Sequence, residues 1–178
     1  LAGDASGNVR FFHNNSGSET TPWANQKTFP DSFDPVKVES FARPAFADLD
    51  NDHDFDLFIG QYGYYSYAQK TVALQNKGDQ YKPDFQSNTS WDIPSYFLAA
   101  YSHAFADFDG DKFVDTLAGG SNGNIRFFKN NSTSDKQETP DWTHQTTFPD
   151  FLDPPRVESI ARPAFVDLDN NGLIDLFI

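Results

Sequence analysis

The chain has 178 residues, enough for one ordinary domain with a sizeable core, and sets 13 Lys plus Arg against 26 Asp plus Glu, a formal net charge of −13. That balance argues against nucleic acid and anionic membrane surfaces as partners and favours cations. Cysteine is absent, so no disulfide framework holds the loops, and no apolar run approaches the roughly 18 residues of a membrane span, so no membrane insertion is expected.

Aromatic residues make up 16% of the chain, 19 of them Phe. Bulky apolar material of that kind fits pleated, half-buried strands, and an all-β class is expected. The first residues, Leu1-Ala2-Gly3-Asp4, are neither an initiator Met nor a signal peptide, and the last, Leu176-Phe177-Ile178, fall inside a strand-like run. The chain reads as a window cut from a longer array.

Taken from the amino terminus, the first recognisable element is GNVRFFHNNS from Gly7, which returns as GNIRFFKNNS from Gly123. Phe33-Asp34-Pro35 punctuates a connection and is answered by Asp153-Pro154-Pro155, while VESFARPAF from Val38 returns as VESIARPAF from Val157. Three further segments align without gaps: FADLDNDHDFDLFIG from Phe46, FADFDGDKFVDTLAGG from Phe105 and FVDLDNNGLIDLFI from Phe165. Their first Asp residues stand at 48, 107 and 167, steps of 59 and 60. The repeat divides the chain into units at 1–60, 61–119 and 120–178, of which the outer two resemble each other more than the middle one.

Each period reads as four short strands. In the last complete period these are Ala104 to Ala106, Thr116 to Ala118, Ile125 to Phe128, and a fourth near Trp142 to Phe148. The Asn122-Gly123 dipeptide between the second and third predicts a two-residue type I′ hairpin turn. About 60 residues in four antiparallel strands is what one blade of a β-propeller requires.

Each unit also carries oxygen ligands at positions 1, 3, 5 and 9 of a nine-residue loop between two apolar strands. The sets are Asp48, Asp50, Asp52 and Asp56; Asp107, Asp109, Asp111 and Asp115; and Asp167, Asp169, Asn171 and Asp175. Side chains at 1, 3 and 5 can converge when the loop curls, and the carboxylate at 9 closes the ring. The backbone carbonyl at position 7 (Asp54, Phe113 or Leu173) is the natural additional ligand. Hard oxygens in that number suit Ca²⁺, which takes six to eight of them. Asp, Asn and Gly also mark ordinary solvated turns, but three copies in register concentrate a charge repulsion that a cation relieves. Position 6 should be left-handed; Gly172 suits it, whereas His53 and Lys112 would each cost roughly 1 kcal/mol there. An EF-hand is excluded, since its loop has 12 residues and helical flanks.

His13, His53, His103 and His144 share no metal-ligand spacing, and each reads as a surface or loop histidine. No G-x-S-x-G elbow occurs, and no enzyme activity is expected. Glycosylation sequons stand at Asn14, Asn88, Asn130 and Asn131. Trp23 and Trp142 occupy corresponding places and read as packing between blades, while Tyr62, Tyr64, Tyr65 and Tyr67 crowd one hairpin and are the candidate platform for a ligand.

The Asp-x-Asp-x-Asp/Asn-x-x-x-Asp cores, the glycines Gly60 and Gly119 that follow two of them, and the GNIRFFKNN segment at Gly123 closely resemble FG-GAP/VCBS repeats. The resemblance covers essentially the whole chain. It implies integrin-α-like propeller blades with Ca²⁺ held between the first two strands of each, in an extracellular protein. The function then expected is adhesion or structural assembly through protein contacts, with a lectin-like, glycan-binding propeller as the alternative. Three blades do not close a ring, so the expected partners are further blades of a parent chain or further copies of this one.

Overall fold

In the computed structural model, residues 1–14, 23–26, 37–62, 71–79, 82–93, 100–134, 139–145, 156–172 and 174–178 are described, with the backbone alone at 11, 13, 14, 23–26, 100, 101 and 143–145. Among the described residues, thirteen strands and a single 3₁₀ turn (Thr89–Trp91) make up the regular structure, an all-β fold as the sequence predicts. They group into four antiparallel sheets. The first holds β1 (Ala2–Gly3), β2 (Val9–Asn14) and β3 (Trp23–Gln26); the second β4 (Arg43–Ala47), β5 (Asp56–Gly60), β6 (Val72–Asn76) and β7 (Phe85–Ser87). The third holds β8 (Ala100–Ala106), β9 (Asp115–Gly120), β10 (Ile125–Asn130) and β11 (Trp142–Gln145), and the last β12 (Ala164–Val166) and β13 (Asp175–Phe177). In every sheet the strands pair in chain order. The sequence boundary at 60 falls at the end of β5, and the one at 119 one residue before the end of β9, the second strands of the two complete sheets.

The sheets stack because their central strands are apolar on both faces. All five residues of β5 and all six of β9 are buried. Successive side chains on a strand point to opposite faces. Leu57 and Ile59 therefore join Val9, Val38 and Ala42 on the side of the first sheet, while Phe58 joins Ala118 and Phe128 on the side of the third. One sheet later the alternation repeats, with Leu117, Ile125 and Phe127 packed on Phe165 and Leu176 of the last sheet and on Ala161 in the connection leading into it. The first strands of the sheets, β4, β8 and β12, lie side by side. The result is an open, propeller-like stack, and the described residues do not close a ring. Phe165 and Leu176 face inward on the last sheet, whereas Val166, Phe177 and Ile178 are among its exposed large side chains.

The β9–β10 hairpin departs from the predicted type I′ turn. Only Gly123 has a positive φ, +79°, and its N–H donates to Gly120 O at 3.1–3.2 Å as Gly7 N–H does to Asp4 O in the first sheet. This is a three-residue connection ending in a left-handed glycine. The reason is tertiary: the connection into the next sheet crosses the turn here, so that Val157 N–H donates to Gly123 O and Val38 N–H to Gly7 O. A Cβ on either glycine would lie 2.0 Å from the Val157 or Val38 carbonyl oxygen.

Candidate metal centre

Each Asp loop joins the first strand of a sheet to the second. Two positions in it are left-handed: position 6, as the sequence predicts, with φ of +74° at His53, +77° at Lys112 and +84° at Gly172, and position 4, at Asn51, Gly110 and Asn170. Position 4 is unforeseen, although Asn and Gly are the residues that tolerate this conformation best.

The position 1 carboxylate holds the curl. Asp48 Oδ1 and Oδ2 accept from the N–H groups of Asp52 (3.2 Å) and His53 (3.0 Å). Asp107 accepts in the same way from Asp111 (3.2 Å) and Lys112 (2.9 Å), and Asp167 from Asn171 (3.0 Å) and Gly172 (2.8 Å). The position 9 carboxylate fastens the loop to the sheet. Asp56 accepts from Leu49 N–H (3.0 Å) and from Asn76 N–H on the third strand (2.9 Å); Asp115 accepts from Phe108 N–H (3.2 Å) and Asn130 N–H (2.9 Å). Asp175 accepts from Leu168 N–H at 2.9 Å.

These bonds leave the carboxylates of positions 1, 3 and 9 gathered. In each of the sets Asp48/Asp50/Asp56, Asp107/Asp109/Asp115 and Asp167/Asp169/Asp175, one oxygen per residue lies within 4.8 Å of the others. Position 5 stands outside these groups: Asp52 Oδ1 accepts from Asp54 N–H and Asp111 Oδ1 from Phe113 N–H, both at 2.9 Å. Leu173 lies outside the described residues.

Crowding and burial act on the charge. Burial raises the pKa of Asp48 and Asp50, and it pushes Asp56 up to about 7 and Asp115 up to about 6. Asp50 Oδ1 is buried and has no hydrogen-bond partner. A buried lone carboxylate oxygen beside two more carboxylates is an arrangement that a hard divalent cation satisfies.

The third strand supplies a residue that the sequence reading overlooked. Gln75 Nε2 donates to Asp50 Oδ2 at 2.6 Å, whereas at the equivalent place Lys129 Nζ pairs with Asp109 and, at 2.8 Å, with Asp111. The signal was the residue immediately before Asn76 and Asn130. Loops one and two also touch each other, Asn51 Nδ2 donating to Lys112 O at 3.2 Å.

Comparison with known families bears on this geometry. Residues 107–178, from the first Asp of the second loop to the end of the third loop's strand, match the sequence profile of the FG-GAP-like repeat. This segment is similar to an FG-GAP-like repeat. No curated protein matches the chain. FG-GAP repeats form a fold of binding and structural modules, and the repeat matched here contains the second and third Asp loops together with β9 to β13.

The remaining sequence candidates sort by position. Asn130 is fully buried; its Oδ1 accepts from Ser132 Oγ (2.6 Å) and Asp141 N–H (3.1 Å), and its Nδ2 donates to Val114 O (3.4 Å). An amide buried and bonded on both atoms caps a strand and has no room for a glycan. Asn88 caps the 3₁₀ turn and donates to Gln75 Oε1 at 3.0 Å, Asn131 is half-buried, and the Asn14 side chain lies outside the described residues. Tyr64, Tyr65 and Tyr67 also lie outside them, while Tyr62 packs edge-on against Phe41 with ring centroids 6.0 Å apart. Trp142 packs between sheets as expected, its Nε1 donating to Trp91 O at 3.3 Å. His103 corrects the surface reading: it is buried on β8 between Phe58 and Phe105, neither ring nitrogen has a partner, and burial pulls its pKa down to about 4.

Proposed function

We propose that the chain is a calcium-stabilised, extracellular binding module, built of propeller blades and working through protein contacts. The observation that carries the calcium reading is the same three-carboxylate gathering at the same point of three successive sheets, with an orphaned buried oxygen at Asp50. Asp48, Asp50 and Asp56, Asp107, Asp109 and Asp115, and Asp167, Asp169 and Asp175 would hold the ions, with position 5 turning in as the shell fills. Ca²⁺ supplies charge neutralisation there and no redox or acid–base chemistry. The chain's own residues do the rest. Asp56 and Asp115 tie the loop to the third strand, so a cation drawn to either one braces three strands of a sheet at once.

The protein-contact reading rests on the outer face of the last sheet. Val166 and Phe177 occupy the face that β5 and β9 bury against the next sheet in the stack. An apolar face of that kind is covered by another blade, of a longer chain or of a second copy.

A melting curve with and without EDTA, combined with calorimetric titration, tests the calcium reading. A ligand that binds only the native state adds about 2.7 kcal/mol per site at a hundredfold excess over Kd. Millimolar Ca²⁺ should raise Tm and titrate with measurable heat; an unchanged Tm and a flat isotherm refute structural calcium.

A further inference from the structure

At the rim opposite the Asp loops, a cleft of about 370 Å³ opens between Phe41, Arg43, Tyr62, Ser121, Ile160 and Arg162, with Ser159 beside them. Arg43 begins β4 and Asp48 follows its end, which puts the two sites about 17 Å apart along the strand. The cleft is a product of the repeat. Arg43 and Arg162 hold equivalent positions in the outer units, and the corresponding residue of the middle unit is Ser102, which carries no charge.

Three observations single this cleft out. Among the described residues no acidic side chain lines it and neither Arg43 nor Arg162 forms an ion pair, in a chain of net charge −13. Arg43 directs one N–H inward to Ala42 O at 3.0 Å; burial and the nearby Arg162 charge both lower its pKa, the sign of a guanidinium short of counter-charge. The apolar walls are held under backbone strain. Phe41 and Ile160 both have φ of +49°, and for a β-branched residue this is an outlier. Each is latched there because its N–H donates to the turn of the preceding sheet, Phe41 to Ala5 O and Ile160 to Ser121 O, both at 3.1 Å. Glycine would relieve the strain but would remove the side chain from the cleft.

We propose that this cleft binds a carboxylate with an apolar body. Its two oxygens face the Arg43 and Arg162 guanidiniums, and its body lies against Phe41, Ile160 and the edge of Tyr62. Planar guanidiniums match a carboxylate in geometry as well as charge, and the volume suits a small ligand. A free organic acid and the carboxyl terminus of a peptide ending in an apolar residue present the same chemistry.

The test titrates the 178-residue chain at physiological salt with four probes: 3-phenylpropionate, its uncharged amide, a short peptide ending in Phe with a free carboxylate, and the same peptide amidated. Binding is read by the shift of aromatic NMR resonances. At least one carboxylate should bind at millimolar concentration and weaken as salt is raised, with its amide silent; whichever of the two carboxylates binds tighter identifies the source. Arg162→Gln, at an exposed position outside the core, should weaken binding about tenfold or more with Tm unchanged, and Arg43→Gln should do the same. Equal binding of acid and amide, wild-type affinity in Arg162→Gln, or no binding by either acid would overturn the proposal. Calcium enters none of these readouts, so the outcome is independent of the Asp loops.

Discussion

Lys129 and Gln75 stand at the same place in successive sheets and meet the Asp loops differently: the amide donates one hydrogen bond to Asp50, while the ammonium bridges Asp109 and Asp111. The second loop thus carries a cation of its own. Burial pushes the Asp111 carboxyl up, but the hydrogen bonds from Lys129 and Phe113 N–H together with the Lys129 charge hold it below the ordinary carboxylate range; against burial, the bonds to Asp109 and Asp111 raise the Lys129 pKa.

A divalent ion entering the second loop must displace that ammonium. Lys129→Gln should therefore tighten Ca²⁺ binding at this loop, by about tenfold for the loss of one competing charge-assisted contact. Gln75→Lys should weaken the first loop in turn. Calorimetric titration of the two variants reads the change directly, and isotherms that superimpose on the wild type would show that the lysine moves aside freely.

The position 9 aspartates have a structural duty apart from any metal. Asp115→Ala leaves the N–H groups of Phe108 and Asn130 without their acceptor and opens a small buried void, a loss of about 2–5 kcal/mol. Asp52→Ala removes one exposed bond to Asp54 N–H and should cost under about 1 kcal/mol. Urea unfolding in EDTA separates the two roles. If both variants unfold at the same midpoint there, Asp115 acts only through calcium.

Two left-handed glycines predict opposite tolerances. Gly123→Ala places a methyl 2.0 Å from the Val157 carbonyl oxygen, which belongs to a hydrogen-bonded connection that cannot retreat; it should destabilise by more than about 3 kcal/mol or prevent folding. Gly110→Ala shares the positive φ but meets nothing within 4 Å, so its cost should stay near 1 kcal/mol. Thermal melts of the pair give the answer, and equal effects would put the whole cost on φ.

His103 sets a pH dependence. Its folded pKa of about 4 lies below the ordinary 6.5, so between those values the unfolded chain takes up a proton that the native chain refuses. Stability is present above pH 6.5 and is lost as pH falls toward 4, by an amount on the order of 3 kcal/mol. Asp56 and Asp115, raised by burial, act in the opposite direction without metal: the stability they give at low pH is lost as pH rises through about 7 and 6. Comparison of wild type with His103→Phe isolates the histidine. The variant should gain on the wild type as pH falls from 6.5 to 4, and parallel pH profiles would mean that His103 finds a partner.

The amino-acid sequence by itself determined the strand content, the period and the Asp loops, because these are local. Alternation on β5 and β9, the left-handed demand at position 6 and the ligand spacing all operate within one turn or one strand. Tertiary structure decided which of the loop carboxylates gather. Positions 1 and 9 are anchored by backbone N–H groups, in the case of Asp56 and Asp115 from a strand 15 to 20 residues further on, and position 5 turns away to bond two residues ahead. It also decided the turn at Gly123, the burial of Asn130 and His103, and the meeting of Arg43 with Arg162. Each of these depends on a neighbour at least eleven residues distant in the chain, and a local pattern carries no information about a contact that only the stacking of sheets creates.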